Sequence, residues 1–484
     1  MPDVLRAHYD AIPSFHGSIP ESHPARLCAI ARLLGLPAAP PDRCRVLELG
    51  CATGLNLLPM AEQLPGSQFV GVDLSPVQIG AAQALCEAGG VRNVELVCAD
   101  LRDWEPTDGG FDYVIAHGVY SWVPDDVKDR LLALCARALA PDGIAYVSYN
   151  VVPAGARLAA LRAVMLPEVV HAADPVARAK DILGTMTKAF AELPGAEAAL
   201  IRKTLGEMQA RSPEALLHDE LAPVNAPVSF RHFAAHAAQH GLHWFAEAHF
   251  ASLPADHLPV PARQALAELR SDTMHTQQFL DLVGDRSFRN SLLTRGTAVD
   301  FSRPDPAVVK ECAIGLRMAS ADGRIVLDAG TPLQLRGQHG FSMVVEKPEQ
   351  KAFFGALCAA APERVPFATV CARATALLAQ AGLGGTVDED LMARGILRLF
   401  TTDQVDLMQA GTSDWLSAPS ADAPSPLTQF LARAGRPVIN RWHETVRLTD
   451  AERAWLAGTS EQGDATLFRR AGLLAPERGE TART

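Results

Sequence analysis

Five short apolar runs alternate with helical ones in the first third of the chain, and this alternation leaves few folds open. Residues 45–49, 68–73, 94–100, 111–117 and 143–150 each read as a strand, while 55–64, about 75–88 and 125–140 carry helical spacing. The strands are nearly continuous in Val, Leu and Ile, so both of their faces must be covered. Strand–helix alternation then builds a parallel sheet with helices on either side. The expected class is α/β, a Rossmann-like sheet followed by additional helical and α+β parts. In such sheets ligands sit outside the carboxyl ends of the strands.

The remaining two thirds change character. Residues 151–215 are rich in Ala, Leu, Arg and Glu at helical spacing, and 216–300 are punctuated by Pro223, Pro227, Pro254, Pro259 and Pro261. A strand-like patch returns near 310–346, and 347–410 read as three helices in a mixed, winged-helix-like unit over 301–416. The run SAPSADAPSP at 417–426 marks a linker, and 427–484 read as a mostly helical segment with a frayed tail after Pro476. With 1–150 as the first unit, this predicts five parts.

Composition excludes several classes. The net charge of −11 removes a general nucleic-acid footprint. The longest apolar runs, such as 353–361, fall far short of the ~20 residues of a membrane span. The first residues show no basic segment followed by an apolar stretch, so a signal peptide is not expected. The nine cysteines form no CxxC pair and are odd in number, which points to reduced thiols and a cytoplasmic protein.

The chemistry concentrates at the strand ends. Residues 46–54 read VLELGCATG: a strand, a glycine-bearing loop, then a helix. A dinucleotide fingerprint fails, because Ala52 and Leu55 occupy its second and third glycine positions. Glu48, directly before the loop, would repel a pyrophosphate. It suits a ligand with a cationic end, such as the sulfonium and ammonium of S-adenosylmethionine, since opposite charges at ~4 Å attract by about 4 kcal/mol at an effective dielectric of 20. Asp73, 19 residues past Gly54, is placed for ribose hydroxyls. Asp100 can accept from an adenine amino group, with Leu101 behind the ring. Gly118 permits close approach at the end of the fourth strand.

These blocks, VLELGCATG, GVDLS, AD and FDYVIAHGVYSWVP, resemble the class I S-adenosylmethionine-dependent methyltransferases. HGVYSWVP with YVSYN at 146–150 is similar to the narrower bacterial group that carries a methyltransferase regulatory domain, which includes the rickettsial-type protein lysine methyltransferases. Tyr9-Asp10 with His23-Pro24, LLHDELAPVNAPVSF at 216–230, HGLHWFAEA at 240–248, FRNSLLTR at 288–295 and NRWHETVRL at 440–448 extend the resemblance along the chain. The family's YN-x-x-PGWH segment appears here as YNVVPAGAR at 149–157, with the tryptophan and histidine lost, and Leu55 stands where a second loop glycine is common.

The resemblance implies S-adenosylmethionine as cofactor, held by Tyr9, Glu48, Gly50, Cys51, Gly54, Asn56, Asp73, Leu74, Asp100, Leu101, His117 and Gly118. The acceptor side would draw on His117, Tyr120, Trp122, Tyr149 and Asn150. His117 has the unperturbed pKa of a base, yet also reads as a structural histidine under the cofactor. Tyr120 and Trp122 could wall a cationic acceptor, or equally be lid or core aromatics. The acceptor is expected to be a protein lysine nitrogen. A small molecule or peptide is the alternative, and a cofactor-sensing regulator without catalysis is the rival from another class. No nucleic-acid partner is expected; a homodimer is open. His232, His236, His240 and His243 read as helix packing, because no carboxylate or thiolate interleaves them, and no metal is expected. Arg289 and Arg295 read by default as solvated surface, with pairing to interdomain carboxylates or an acidic partner as the alternative.

Overall fold

The computed structural model describes residues 2–11, 14, 17–254, 258–268, 272–296, 303–410, 423–460 and 463–474. Most of the 417–426 linker and the tail after Pro476 lie outside these residues. The central sheet has seven strands: β1 (Arg45–Leu49), β2 (Gln68–Asp73), β3 (Val94–Cys98), β4 (Phe111–Ala116), β5 (Leu139–Asn150), β6 (His243–Glu247) and β7 (Phe288–Thr294). Their order is β3-β2-β1-β4-β5-β7-β6. The first five run parallel; β7 pairs antiparallel with both β5 and β6. The sheet is the Rossmann-like α/β core that the strand pattern predicts.

Two strands were invisible to that pattern. β6 and β7 come from the Pro-punctuated region, far from the strand–helix alternation, and they extend the sheet beyond β5. Their pairing buries Arg289, whose guanidinium lies 2.6 Å from Glu247 and 2.8 Å from Asp281 and stacks 4.2 Å over the Phe230 ring. The surface reading of Arg289 is therefore corrected: it is 2% exposed. A buried cation persists because two carboxylates and the Gln277 carbonyl, at 2.9 Å, satisfy it.

Strand order places the site. β1 has β2 on one side and β4 on the other, so the connections leave its carboxyl end in opposite directions and open a crevice there. The loop after β1 and the ends of β2 and β4 face this crevice. The helix after the loop begins at Leu57, two residues later than its spacing suggests, because Gly50, Ala52 and Gly54 all adopt positive φ first.

A second core lies behind. A three-stranded sheet (Cys312–Leu316, Arg364–Pro366, Val405–Gln409) packs with helices Pro348–Ala360, Phe367–Gln380 and Glu389–Phe400. The three helices match the periodicity; the strands between and after them do not show in it. Helix Pro24–Leu33 belongs to both cores, giving Leu27 and Ile30 to the first and Ala29 and Leu33 to the second. The C-terminal helix Pro426–Arg433 packs on helix Pro76–Gly89, where a Cβ on Gly89 would lie 3.0 Å from Leu427.

Candidate active site

A cavity of about 610 Å³ opens at the carboxyl ends of β1, β2 and β4. Of the expected cofactor residues it is lined by Tyr9, Glu48, Gly50, Cys51, Asn56, Asp73, Leu74, Asp100, Leu101, His117 and Gly118. Trp122 and Asn150 line it too. Gly54, Tyr120 and Tyr149 do not.

Glu48 is the penultimate residue of β1 and is 3% exposed. Its Oε1 accepts from Asn56 Nδ2 at 2.9 Å, while its Oε2 is buried with no hydrogen-bond partner among the described residues. Burial pushes its carboxyl up to about 8, against the Asn56 hydrogen bond that lowers it. An orphaned buried carboxylate oxygen facing a cavity is an anionic socket for a cationic group, and the residues present therefore fit S-adenosylmethionine.

Asp73 ends β2, and its two oxygens tie the loop together. Oδ2 accepts from the Ala52 amide and Oδ1 from the Ser75 amide, both at 2.9 Å. Burial raises its pKa even so. A carboxylate has about four acceptor positions, so two remain for ribose hydroxyls. Asp100 is engaged by its own neighbour: Arg102 donates from its amide at 2.9 Å and from its guanidinium at 3.0 Å. Gly50 needs its bare backbone, since a Cβ there would stand 2.5 Å from Val119 Cγ2 at φ +79°. Gly54 serves packing instead: its Cα faces Leu58 and Ala82 rather than the cavity.

The acceptor-side expectations divide. His117 lines the cavity, with Nδ1 3.0 Å from the buried Tyr146 hydroxyl and its ring against Phe288. Trp122 lines it as well, and its buried Nε1 has no partner among the described residues. Asn150 donates to Asn225 at 2.8 Å and has its amide fixed by Ser121 at 2.8 Å. Tyr149 lies under the site, its ring 3.9 Å from Phe233 and its hydroxyl 2.9 Å from Ser291. Tyr120 turns away and meets His236 Nδ1 at 2.8 Å. Both tyrosines are fully buried packing groups: Tyr120 follows the core alternative rather than the acceptor wall, and the place of Tyr149 among the acceptor-side candidates is corrected.

Sequence reasoning missed the far wall. Residues Leu216–Glu220 form a π-helical turn, a geometry that 3.6-residue periodicity does not signal. Arg162, buried, donates to the Asp219, Glu220 and Ala222 carbonyls and pins this turn. Through it His218, Asp219 and Glu220 line the cavity, with Arg211 and Asn225. His218 stacks on Tyr9 at 6.1 Å, so the N-terminal helix closes on the turn. The Glu220 carboxylate is wholly buried, 3.3 Å from Arg211 Nε. Burial raises its pKa to about 7, outweighing the nearby Arg211 charge. The only trace in the sequence was the family-like block LLHDELAPVNAPVSF.

Comparison with known proteins agrees with this geometry. Residues 46–143 match the "Methyltransferase domain" family model, and residues 212–295 match the "Predicted methyltransferase regulatory domain". Uncharacterized protein RP789 of Rickettsia prowazekii is 32% identical over 288 residues, 59% of this chain and 52% of that protein. Uncharacterized protein RP028 of the same organism is 31% identical over 228 residues, 46% of this chain and 91% of that protein. The chain thus spans about half the length of the first relative and nearly all of the second. The structure of PKMT2 from Rickettsia typhi in complex with AdoHcy superposes with a TM-score of 0.80 at 21% identity, over 97% of this chain and 94% of that one. A class I methyltransferase sheet with a cofactor crevice defines the class of protein. The chain belongs to the S-adenosylmethionine-dependent methyltransferases that carry a methyltransferase regulatory domain. Among the described residues no helix is long and apolar enough to cross a membrane.

Proposed function

We propose that the protein methylates an amine nitrogen, that of a protein lysine side chain. Glu220 carries this reading: a buried carboxylate, poised near pH 7, on the cavity wall that Asn150 and Asn225 also line. An ammonium acceptor has no lone pair until it loses a proton, and a carboxyl group of this pKa can both attract the cation and take that proton. Asp219 adds a second negative group beside it. An anionic small-molecule acceptor would meet Glu220 and Asp219 with the wrong sign of charge, and Arg211 is already paired with both.

Glu48, Asp73 and the backbone of residues 50–52 would hold S-adenosylmethionine, with Tyr9 covering it and Leu74 and Leu101 against its base. The cofactor supplies an electrophilic sulfonium methyl. The protein's own part is to align the nitrogen, hold the leaving proton on Glu220 and exclude water with Tyr9 and Trp122. The test is methyl transfer from labelled S-adenosylmethionine to a lysine-rich unfolded protein. Glu220→Gln should lose transfer while retaining binding of S-adenosylhomocysteine. Equal turnover in wild type and variant would refute the role of Glu220.

A further inference from the structure

Asp129, His236 and His240 meet outside the cavity, at the seam between two helices. His236 lies in helix Phe230–Gln239 and His240 caps its carboxyl end; Asp129 projects from helix Asp125–Ala138. Asp129 Oδ1 lies 3.4 Å from His236 Nε2 and 2.9 Å from His240 Nε2. The three ligand atoms lie within 4.8 Å of one another. An ion with tetrahedral bonds of about 2.0–2.1 Å spaces its donors roughly 3.3–3.4 Å apart. The two distances from Asp129 Oδ1, 3.4 and 2.9 Å, lie within about half an ångström of that spacing, and the two imidazole nitrogens are no more than 4.8 Å apart.

The surroundings favour a cation here. The far nitrogen of His236, Nδ1, is 2.8 Å from the hydroxyl of the buried Tyr120. That contact fixes the ring and leaves Nε2 directed at Asp129, the supporting hydrogen bond that metal-binding histidines commonly have. The Lys128 ammonium, next to Asp129 in the chain, is held 2.8 Å from Asp125. The His232 ring stands 6.4 Å from that of His236 and is not among the three donors. The sequence pattern hid the arrangement, because the carboxylate comes from a helix 107 positions earlier than His236.

We propose that Asp129, His236 and His240 bind a divalent transition-metal ion of the zinc class, with a fourth position open to water. Two imidazole nitrogens and one carboxylate oxygen suit zinc, whereas magnesium and calcium favour all-oxygen shells. The ion staples a helix of the segment matching the methyltransferase model to one of the segment matching the regulatory model.

The experiment titrates Zn²⁺ into chelator-stripped full-length protein by calorimetry, with Co²⁺ as a visible probe of tetrahedral coordination. Wild type should bind one more equivalent than His240→Gln or Asp129→Asn, or bind it at least tenfold more tightly. His232→Gln should match wild type, and Zn²⁺ should raise Tm only where the three donors are intact. Asp129 is largely exposed, so Asp129→Asn tests the site without disturbing packing. Equal stoichiometry and affinity in wild type and both variants, or no binding by wild type, would overturn the proposal.

Discussion

His443 Nε2 lies 2.7 Å from Asn56 Oδ1, joining the C-terminal hairpin to the cofactor loop across 387 positions. The Ile19 amide donates to the same oxygen at 2.9 Å, which fixes the Asn56 amide so that its nitrogen faces Glu48. The orientation of Glu48 thus depends on a residue near the end of the chain. His443→Ala should lower stability by about 0.5–1.5 kcal/mol, the net worth of one hydrogen bond, since Asn56 Oδ1 keeps the Ile19 amide. It should also weaken S-adenosylhomocysteine binding several-fold, although His443 does not line the cavity. Unchanged affinity in calorimetry would uncouple the hairpin from the site.

Glu48 makes a prediction about protons. With its carboxyl raised to about 8, it is mainly protonated at pH 7 in the free protein. A cationic ligand end favours the ionised form, so binding should release about one proton at pH 7. Calorimetry in two buffers of different ionisation enthalpy reads this directly. Glu48→Gln should release none from this group and bind about 10- to 100-fold more weakly, the loss of a charge-assisted bond worth roughly 1.5–3 kcal/mol. Proton release that survives the substitution would point elsewhere.

Acid sensitivity follows from two neighbouring histidines. Burial holds His23 down to about 3 and His443 well below its ordinary value. Their rings lie 5.4 Å apart beside Arg26, so the folded chain keeps both neutral. The unfolded chain takes up protons below about pH 6.5 and the folded chain does not. Stability should therefore be intact above that value and fall by about 1.4 kcal/mol per pH unit for each histidine below it, down to the folded pKa. Denaturant titrations of wild type and His23→Gln between pH 7 and 5 measure the slope; identical slopes would remove His23 from the account.

Arg289 anchors the added strands. Arg289→Leu leaves Glu247 buried without its cation and Asp281 with Arg286 alone, at 3.1 Å, a change of the kind that costs about 3–5 kcal/mol. Thermal unfolding should show a large drop in Tm. A drop no larger than that of a surface substitution would mean that the two carboxylates find other partners.

The sequence is most legible where function and backbone coincide. VLELGCATG marks the crevice because Gly50 must lack a side chain and Glu48 must stand in the last pleat before the loop, and each demand leaves a residue behind. Asp73 is legible for the same reason: its position relative to the loop is set by one βα unit. Tyr120 and Tyr149 misled because an aromatic near a strand end reads alike whether it faces a ligand or the core, and only packing against Phe233 decides. Glu220 stayed hidden because a π-turn has no sequence period and its burial depends on Arg162 from a distant helix. β6 and β7 were missed because their neighbours in the sheet are remote in the chain. Asp129 joins two histidines that sequence alone leaves without a carboxylate.

The amine reading is the claim most exposed to test. Wild-type protein would be incubated with S-adenosylmethionine and an unfolded lysine-rich protein, unmodified or with its lysines acetylated, and the products read by mass spectrometry from pH 6 to 9. Methyl increments are expected on lysine in the unmodified substrate only. The rate should rise through about pH 7, and Glu220→Gln should lose that rise along with roughly 10²–10⁴ in turnover. Methylation that persists on the acetylated substrate, or on carboxylates as base-labile esters, would contradict it.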